Sequence, residues 1–386
     1  MNKINVLCIS LSGHNKSNRH VYELLHNTNL NVSLVVPENL VINGKIVIAD
    51  YQESVLPVIS LKIYFNNPRL HFYIGLKKVI NELNIQYIII DYDPLSLIVF
   101  YISYIFPKIK IMPITCENIP FTISNFYKTR GLKGILDSLI RIFFFKLISN
   151  RIFCLYTINN KGTLMYKSLG VKNVIQIPFG FNKEIFKINK NARKSIRNKY
   201  KIENFTISYF GRLIEEKGIH LLIKALAELK DYKWVLLIDH FKLYDNPYII
   251  ELNQLIHNFN LKDRIIFIDP KHDQISEYMN ASDLIVVPSI SSNIWIEQYG
   301  RVAAEAMACG KNVLVSNSGQ LPFLVKEYGY IFLENNISSL KNILVEIFSK
   351  EEIYTTYSET IQNYAHDNLS TESQKSIIYN SINNKT

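Results

Sequence analysis

The sequence predicts the α/β class, as two doubly wound, parallel-sheet domains in tandem. Three observations carry this expectation. Short apolar runs alternate with longer stretches of helical spacing, the βα pattern of a sheet covered on both faces. The chain has 386 residues, too many for one ordinary core and suited to two of about 150–200 residues each. The alternation pauses at IQIPFGFNKEIF (175–186), where Pro178 and Gly180 mark a turn, and the charged stretch KINKNARKSIRNKY follows. The boundary is placed near residue 182. Domains are then expected over 1–182 and 183–369, with 370–386 a final helix packing back on the first domain.

In the first domain the strands are read at Asn5–Leu11, Val32–Val36, Tyr87–Asp91, Lys110–Pro113 and Arg151–Tyr156, each a short apolar run. Helical spacing falls at His20–His26 and Ile74–Leu83. The second series has strands at Thr206–Phe210, Trp234–Ile238, Ile265–Ile268, Leu284–Val287 and Asn312–Ser316. Its helices are read at Ile219–Leu229, Pro247–Phe259, Ile275–Asn280, Val302–Cys309 and Leu340–Phe348. Ligands of such sheets bind at the carboxyl ends of the strands, here expected in a cleft between the domains.

Composition narrows the class. Hydrophobic residues make up 48% of the chain, which excludes a disordered protein. The four cysteines form no CxxC and no zinc spacing, so buried free thiols of a reducing compartment are expected. The N-terminus lacks the form of a signal peptide, and the apolar run 95–106 is too short to span a bilayer. A cytoplasmic location is expected. The net charge is +10, and it is one-sided: residues 1–182 hold 19 Lys/Arg against 9 Asp/Glu, the remainder 24 of each. Such a field suits nucleic acid, anionic lipid or a phosphate-bearing substrate.

Two stretches of the second half can carry chemistry. In ISYFGRLIEEKGIHLL (207–222), Arg212 follows a strand and Lys217 precedes a helix. Two cations at a βα mouth suit a diphosphate, to which the helix N-terminus adds N–H donors. The other reading is a solvated loop in which Lys217 offsets Glu215 and Glu216. In EQYGRVAAEAMACG (297–310), Glu297 lies in the loop before a helix closed by Gly310, and Glu305 about one turn inside it. Ala303 and Ala304 would let a ligand approach the backbone. The acids could accept ligand hydroxyls, form a hydrolytic pair, or in the case of Glu305 merely favour the helix dipole.

Taken together, Arg212 and Lys217, then ASDLIVVPS (281–289), then Glu297-x7-Glu305 resemble the donor domain of glycosyltransferase family 4, the retaining enzymes of the GT-B fold. The line EQYGRVAAEAMACGKNVLVSNSGQLPFLV is close to that family's signature, and VIQIPFGFNKEIF extends the resemblance between the domains. The resemblance implies GT-B architecture, with a first domain that binds acceptor and a second that binds a nucleotide-sugar. It implies that Arg212 and Lys217 hold the donor diphosphate and neutralise the leaving group. Glu297 would contact the transferred sugar and Glu305 the ribose, with Gly300 and the backbone at Val302 and Ala303 facing the phosphates. A front-face mechanism with retention would follow, the donor phosphate taking the acceptor proton. No cofactor and no metal are expected.

Departures from the family pattern fall on the nucleotide and acceptor sides. VLLIDHFKLYD has no glycine where many members have a glycine-rich loop. SLSGHNKS offers one glycine, Gly13, for the donor phosphate, and His14 beside it as a candidate for the cleft or a solvated loop residue. MPITCENIPF would place Glu117 and Asn118 at the acceptor side, or serve as a helix-capping loop. Asp91-x-Asp93 could mark a GT-A metal site, which the second nucleotide-binding domain argues against.

The stretch 131–149 reads as an amphipathic helix, with Leu132, Leu136, Leu139, Phe143 and Leu147 at helical spacing and Lys108, Lys110, Lys128 and Arg130 upstream. It is expected either to lie on anionic lipid at the inner face of the cell membrane or to cover the core. Nucleic acid is not expected, since no nucleic-acid module is recognisable. The function expected is transfer of a sugar from a nucleotide-sugar to a glycan or lipid-linked acceptor in polysaccharide, lipopolysaccharide or glycolipid synthesis. The alternatives are a nucleotide-sugar epimerase or hydrolase of the same fold, or a non-catalytic donor- or lipid-binding subunit.

Overall fold

A computed structural model describes residues 3–42, 45–49, 54–65, 67–119, 123–239, 246–271, 274–350 and 358–383. The chain forms two compact units, one of residues 1–180 with 371–386, the other of residues 181–370. Both are Rossmann-like α/β domains, the GT-B class.

In the first unit seven strands run in the spatial order Val174–Gln176, Leu155–Thr157, Lys110–Thr115, Tyr87–Asp91, Ile4–Ser10, Leu30–Pro37, Val58–Leu61. All pairings within this sheet are parallel, with Val6 opposite both Val32 and Tyr87. The central strands are continuous apolar runs because helices cover both faces. Leu7, Ile9, Ile88, Ile90 and Ile111 form the core with Leu76, Ile80 and Ile102 of the covering helices. The strand expected from Arg151 begins only at Leu155; before it, Ile152 makes one isolated bridge to Ile111. The final helix, Thr371–Asn383, packs on His20–His26 and buries Ile378 and Ile382.

In the second unit six parallel strands run in the order Ile265–Ile268, Trp234–Asp239, Phe205–Tyr209, Leu284–Val287, Asn312–Ser316, Tyr330–Phe332. The direction of winding therefore reverses between Phe205–Tyr209 and Leu284–Val287, the crevice where doubly wound sheets bind ligands. The charged stretch after the boundary is a helix, Lys190–Tyr200. Its Arg193 and Arg197 stand four apart and both reach Asp283, at 2.5 and 3.2 Å, which ties the helix to the head of Leu284–Val287.

The four cysteines are free, with Cys8, Cys154 and Cys309 buried. Burial pushes the Cys309 thiol up to about 12, so it is inert at neutral pH. Among the described residues no helix is long and apolar enough to cross a membrane.

Candidate active site

The second unit gathers seven of the predicted residues around its switch point. Phe205–Tyr209 ends in a loop that carries Arg212 and then a single 3-10 turn, Glu215–Lys217. The loop returns to the sheet at Gly218, which has φ +68°. A Cβ there would stand 1.9 Å from the Pro288 carbonyl oxygen, so only glycine lets the two loops touch. The Ile290 amide donates to the Glu216 carbonyl at 2.8 Å and fixes the same contact. The loops that follow the two central strands are thus joined to each other.

Lys217 and Glu297 meet across this junction. The Lys217 ammonium donates to Glu297 Oε2 at 2.6 Å, and the Ser289 hydroxyl donates to the same oxygen at 2.7 Å. The Trp295 ring lies under the ammonium, its centroid 5.1 Å away. The Glu297 main chain is held from the other side: its amide donates to the Ser318 hydroxyl at 3.4 Å and its carbonyl accepts from Gln320. Gly319, φ +54°, allows that approach, because a Cβ would stand 1.9 Å from the Glu297 carbonyl oxygen. Glu297 is therefore fixed by loops from two strands, and its carboxylate points at the cation of a third. Arg212 is exposed and makes no ion pair among the described residues.

The helix Arg301–Ala308 starts at Gly300, φ 93°. Ala303 and Ala304 already donate to the Gly300 carbonyl, at 2.9 and 3.2 Å. Val302 lies in the same first turn, where helix geometry leaves the leading amides without an intrahelical acceptor. Glu305 is buried and accepts from Arg301 at 2.7 Å, an i,i+4 pair on the helix surface.

The predicted residues of the first unit lie in the loops that follow its strands Ile4–Ser10 and Lys110–Thr115. The Gly13 amide donates to Ser10 Oγ at 2.9 Å, and its carbonyl accepts from Arg19 at 2.7 Å. Arg19 is fully buried and also reaches the His14 carbonyl, so it organises the whole loop. His14 is buried too, not a solvated loop residue, and its Nε2 has no hydrogen-bond partner among the described residues. Burial lowers its pKa, and Arg19 adds to this, while a hydrogen bond to the Val47 backbone works the other way. Asp91 accepts from Ser10 at 2.8 Å and Ser12 at 2.6 Å, whereas Asp93 caps Leu95 and pairs with Arg69 at 3.3 Å. The two aspartates of the DxD stretch thus have different partners.

Glu117 Oε1 accepts from the amides of Asn118 and Ile119, both at 3.1 Å. Burial raises its pKa; the Ile119 amide opposes this, Asp93 adds to it, and the Asn118 amide and Arg69 oppose it. Asn118 is buried beside it. The glycine-poor loop after Trp234–Asp239 lies outside the described residues.

Sequence reasoning missed Ser289, Trp295, Ser318, Arg301 and Arg19. For Arg301 the i,i+4 spacing to Glu305 was a usable signal; the others act through contacts distant in sequence or carry no motif of their own.

Comparison with known proteins accords with this arrangement. Residues 192–364 match the family described as Glycosyl transferases group 1. An uncharacterized glycosyltransferase of Methanocaldococcus jannaschii is 26% identical over 78% of this chain and 80% of its own length. The gpi3 subunit of the phosphatidylinositol N-acetylglucosaminyltransferase of Schizosaccharomyces pombe is 24% identical over 60% of this chain, which spans only 49% of that protein. Among solved structures, sucrose-phosphate synthase from Thermosynechococcus elongatus superposes over the full length of both chains with a TM-score of 0.73 at 19% identity. HepE of Anabaena in complex with UDP gives 0.74 at 19% identity over 99% of this chain and 100% of its own. These likenesses support a glycosyltransferase of GT-B fold.

Proposed function

We propose that this protein is a retaining glycosyltransferase that moves a sugar from a nucleotide-sugar to a glycan or lipid-linked acceptor of a surface polysaccharide or glycolipid. The observation that carries the reading is the Lys217–Glu297 pair, set across the switch point of the second sheet beside the N-terminus of Arg301–Ala308. HepE, solved with UDP and with UDP-glucose, supports the donor class. The gpi3 relative supports a lipid-linked acceptor.

The donor diphosphate would draw Lys217 away from Glu297 and recruit Arg212 and the Val302 amide. Glu297, released, would accept a hydroxyl of the transferred sugar while Ser289 keeps its carboxylate oriented. Glu305 would hold the ribose hydroxyls. As the bond between the anomeric carbon and the phosphate oxygen breaks, negative charge grows on the diphosphate, and the partly dehydrated Lys217 ammonium stabilises it. The acceptor hydroxyl attacks from the same face, and its proton passes to the departing phosphate oxygen. Arg212 and Lys217 supply the positive charge in this scheme, so no metal is proposed.

The test is a thermal-shift screen across nucleotide-sugars, then transfer with the best donor and NMR of the product anomer. Retention is expected, with large losses in Lys217→Ala and Glu297→Ala. An inverted anomer would refute the mechanism. Free sugar or an epimer from donor alone, as fast as transfer, would favour the hydrolase or epimerase. Donor binding without turnover on any acceptor would favour a non-catalytic subunit.

A further inference from the structure

The helix after the break at Gly131 is apolar on two opposite faces, and the packing uses one of them. Phe145 and Ile148 are buried on one side, Phe145 completely. On the other side Leu132 is 79% and Phe143 62% exposed, and Leu136, Leu139 and Leu147 are exposed in line with them. At about 100° per residue, these five with the exposed Ile140 and Phe144 sweep about 140° of the helix. A surface helix ordinarily turns charge to water over that arc. The strip continues onto the neighbouring helix Leu97–Ile105: the rings of Phe100 and Phe144 meet edge to face at 6.2 Å, and the Tyr104 hydroxyl donates to the Leu147 carbonyl at 3.5 Å. Tyr104 and Ile105 are exposed as well.

Charge decides what covers this strip. Lys146 is exposed at one flank of the strip and Lys133 just inside its other edge, and Arg151 lies over the Tyr104 ring at 4.2 Å. The acid of this helix, Asp137, is engaged by Arg141 at 3.1 Å. Lys110, by contrast, donates to the Tyr87 hydroxyl at 2.8 Å and stands over two rings, so it serves the fold. The side chains of Lys128 and Arg130 lie outside the described residues. A second copy docked through the same patch would bring Lys133 and Lys146 up to the same two lysines of its partner. A lipid surface takes both features: the apolar strip enters the acyl boundary, and these lysines reach up to anionic headgroups.

We propose that this face, from Leu132 to Leu147 with Tyr104 and Ile105, is the docking surface of the first unit for an anionic lipid bilayer. It does not depend on the acceptor being lipid-linked. The test is co-sedimentation of the full chain with vesicles of phosphatidylcholine alone, or with about a third of phosphatidylglycerol, at low and high salt. Binding to the anionic vesicles, weakened by salt, is expected. The L136S/F143S and K133E/K146E variants are each expected to lower the partition coefficient by about tenfold or more with an unchanged thermal midpoint, since all four side chains are exposed. In F143W the added emission should shift to the blue with anionic vesicles. Absence of binding by the parent, equal binding to phosphatidylcholine alone, or binding indifferent to both double variants overturns the proposal. So does a lipid-free dimer whose dissociation, rather than vesicle binding, responds to L136S/F143S.

Discussion

Lys217→Ala removes one charge from a pair to which we assign two functions. The ammonium and carboxylate stand 2.6 Å apart, with side chains 19% and 9% exposed. At an effective dielectric of about 20 the bare attraction is about 6 kcal/mol, most of it offset by the dehydration of both groups. Removing the lysine leaves Glu297 charged and buried without its main cationic partner. A net cost of about 2 kcal/mol follows, or a fall of about 4–8 °C in Tm for a unit of this size. In turnover the loss is of charge stabilisation on the departing diphosphate, about 3–4 kcal/mol, or a kcat about 10²–10³ times lower. Scanning fluorimetry and initial rates of nucleotide release measure the two effects. The double variant Lys217→Ala/Glu297→Ala should recover part of the stability and none of the activity. If Lys217→Ala keeps kcat within about threefold of the parent, the leaving-group role is wrong. If its Tm is unchanged, the reading of the ligand-free pair is wrong.

Three further changes have distinct signatures. Glu305→Ala should raise KM for the donor about tenfold and leave kcat within about threefold, because a ribose contact is shared by ground and transition states; a selective loss of kcat would contradict this. Gly319→Ala forces a Cβ to within 1.9 Å of the Glu297 carbonyl oxygen at φ +54°. It should cost about 2 kcal/mol or more and displace Glu297, so a variant with parental Tm and activity would sink the account of this loop. Lys311 is held by burial, with Arg193 adding to the effect, at a pKa of about 8 against an ordinary 10.5. The folded state thus releases this proton more readily than the unfolded one. The cost of charging it is complete below pH 8 and fades as pH rises toward 10.5. Lys311→Met should therefore be the more stable protein at pH 7, on the order of 2 kcal/mol after screening, with the advantage gone near pH 10.5. A less stable variant at pH 7 would reverse the sign and refute it.

Most elements were legible because their signals are local. The strands Tyr87–Asp91, Ile265–Ile268, Leu284–Val287 and Asn312–Ser316 and the helix His20–His26 have the bounds that their apolar runs predict. Several short strands escaped, among them Val58–Leu61 and Tyr330–Phe332 at the sheet edges. An edge strand this short carries too few alternations to stand out, and Val58–Leu61 is only half buried. The helix Lys190–Tyr200 was hidden by charge, since only Ile196 of it is buried.

The sequence by itself determined the α/β class, the two-part division, and the cations and acids brought to the second sheet's switch point. Periodicity encodes backbone conformation, and motif spacing encodes the loops that follow each strand. Only the tertiary structure decided who meets whom. Lys217 and Glu297 are 80 residues apart, and their contact exists because two neighbouring strands place their loops together at Gly218. Ala303 keeps its amide for Gly300, which no spacing could show. The leucines of 132–147 have one helical period whether they face a core or the outside; which side is covered depends on the neighbours that Phe145 and Ile148 find. Pattern fixes an angle around the helix axis, and packing alone assigns that angle to protein or to its surroundings.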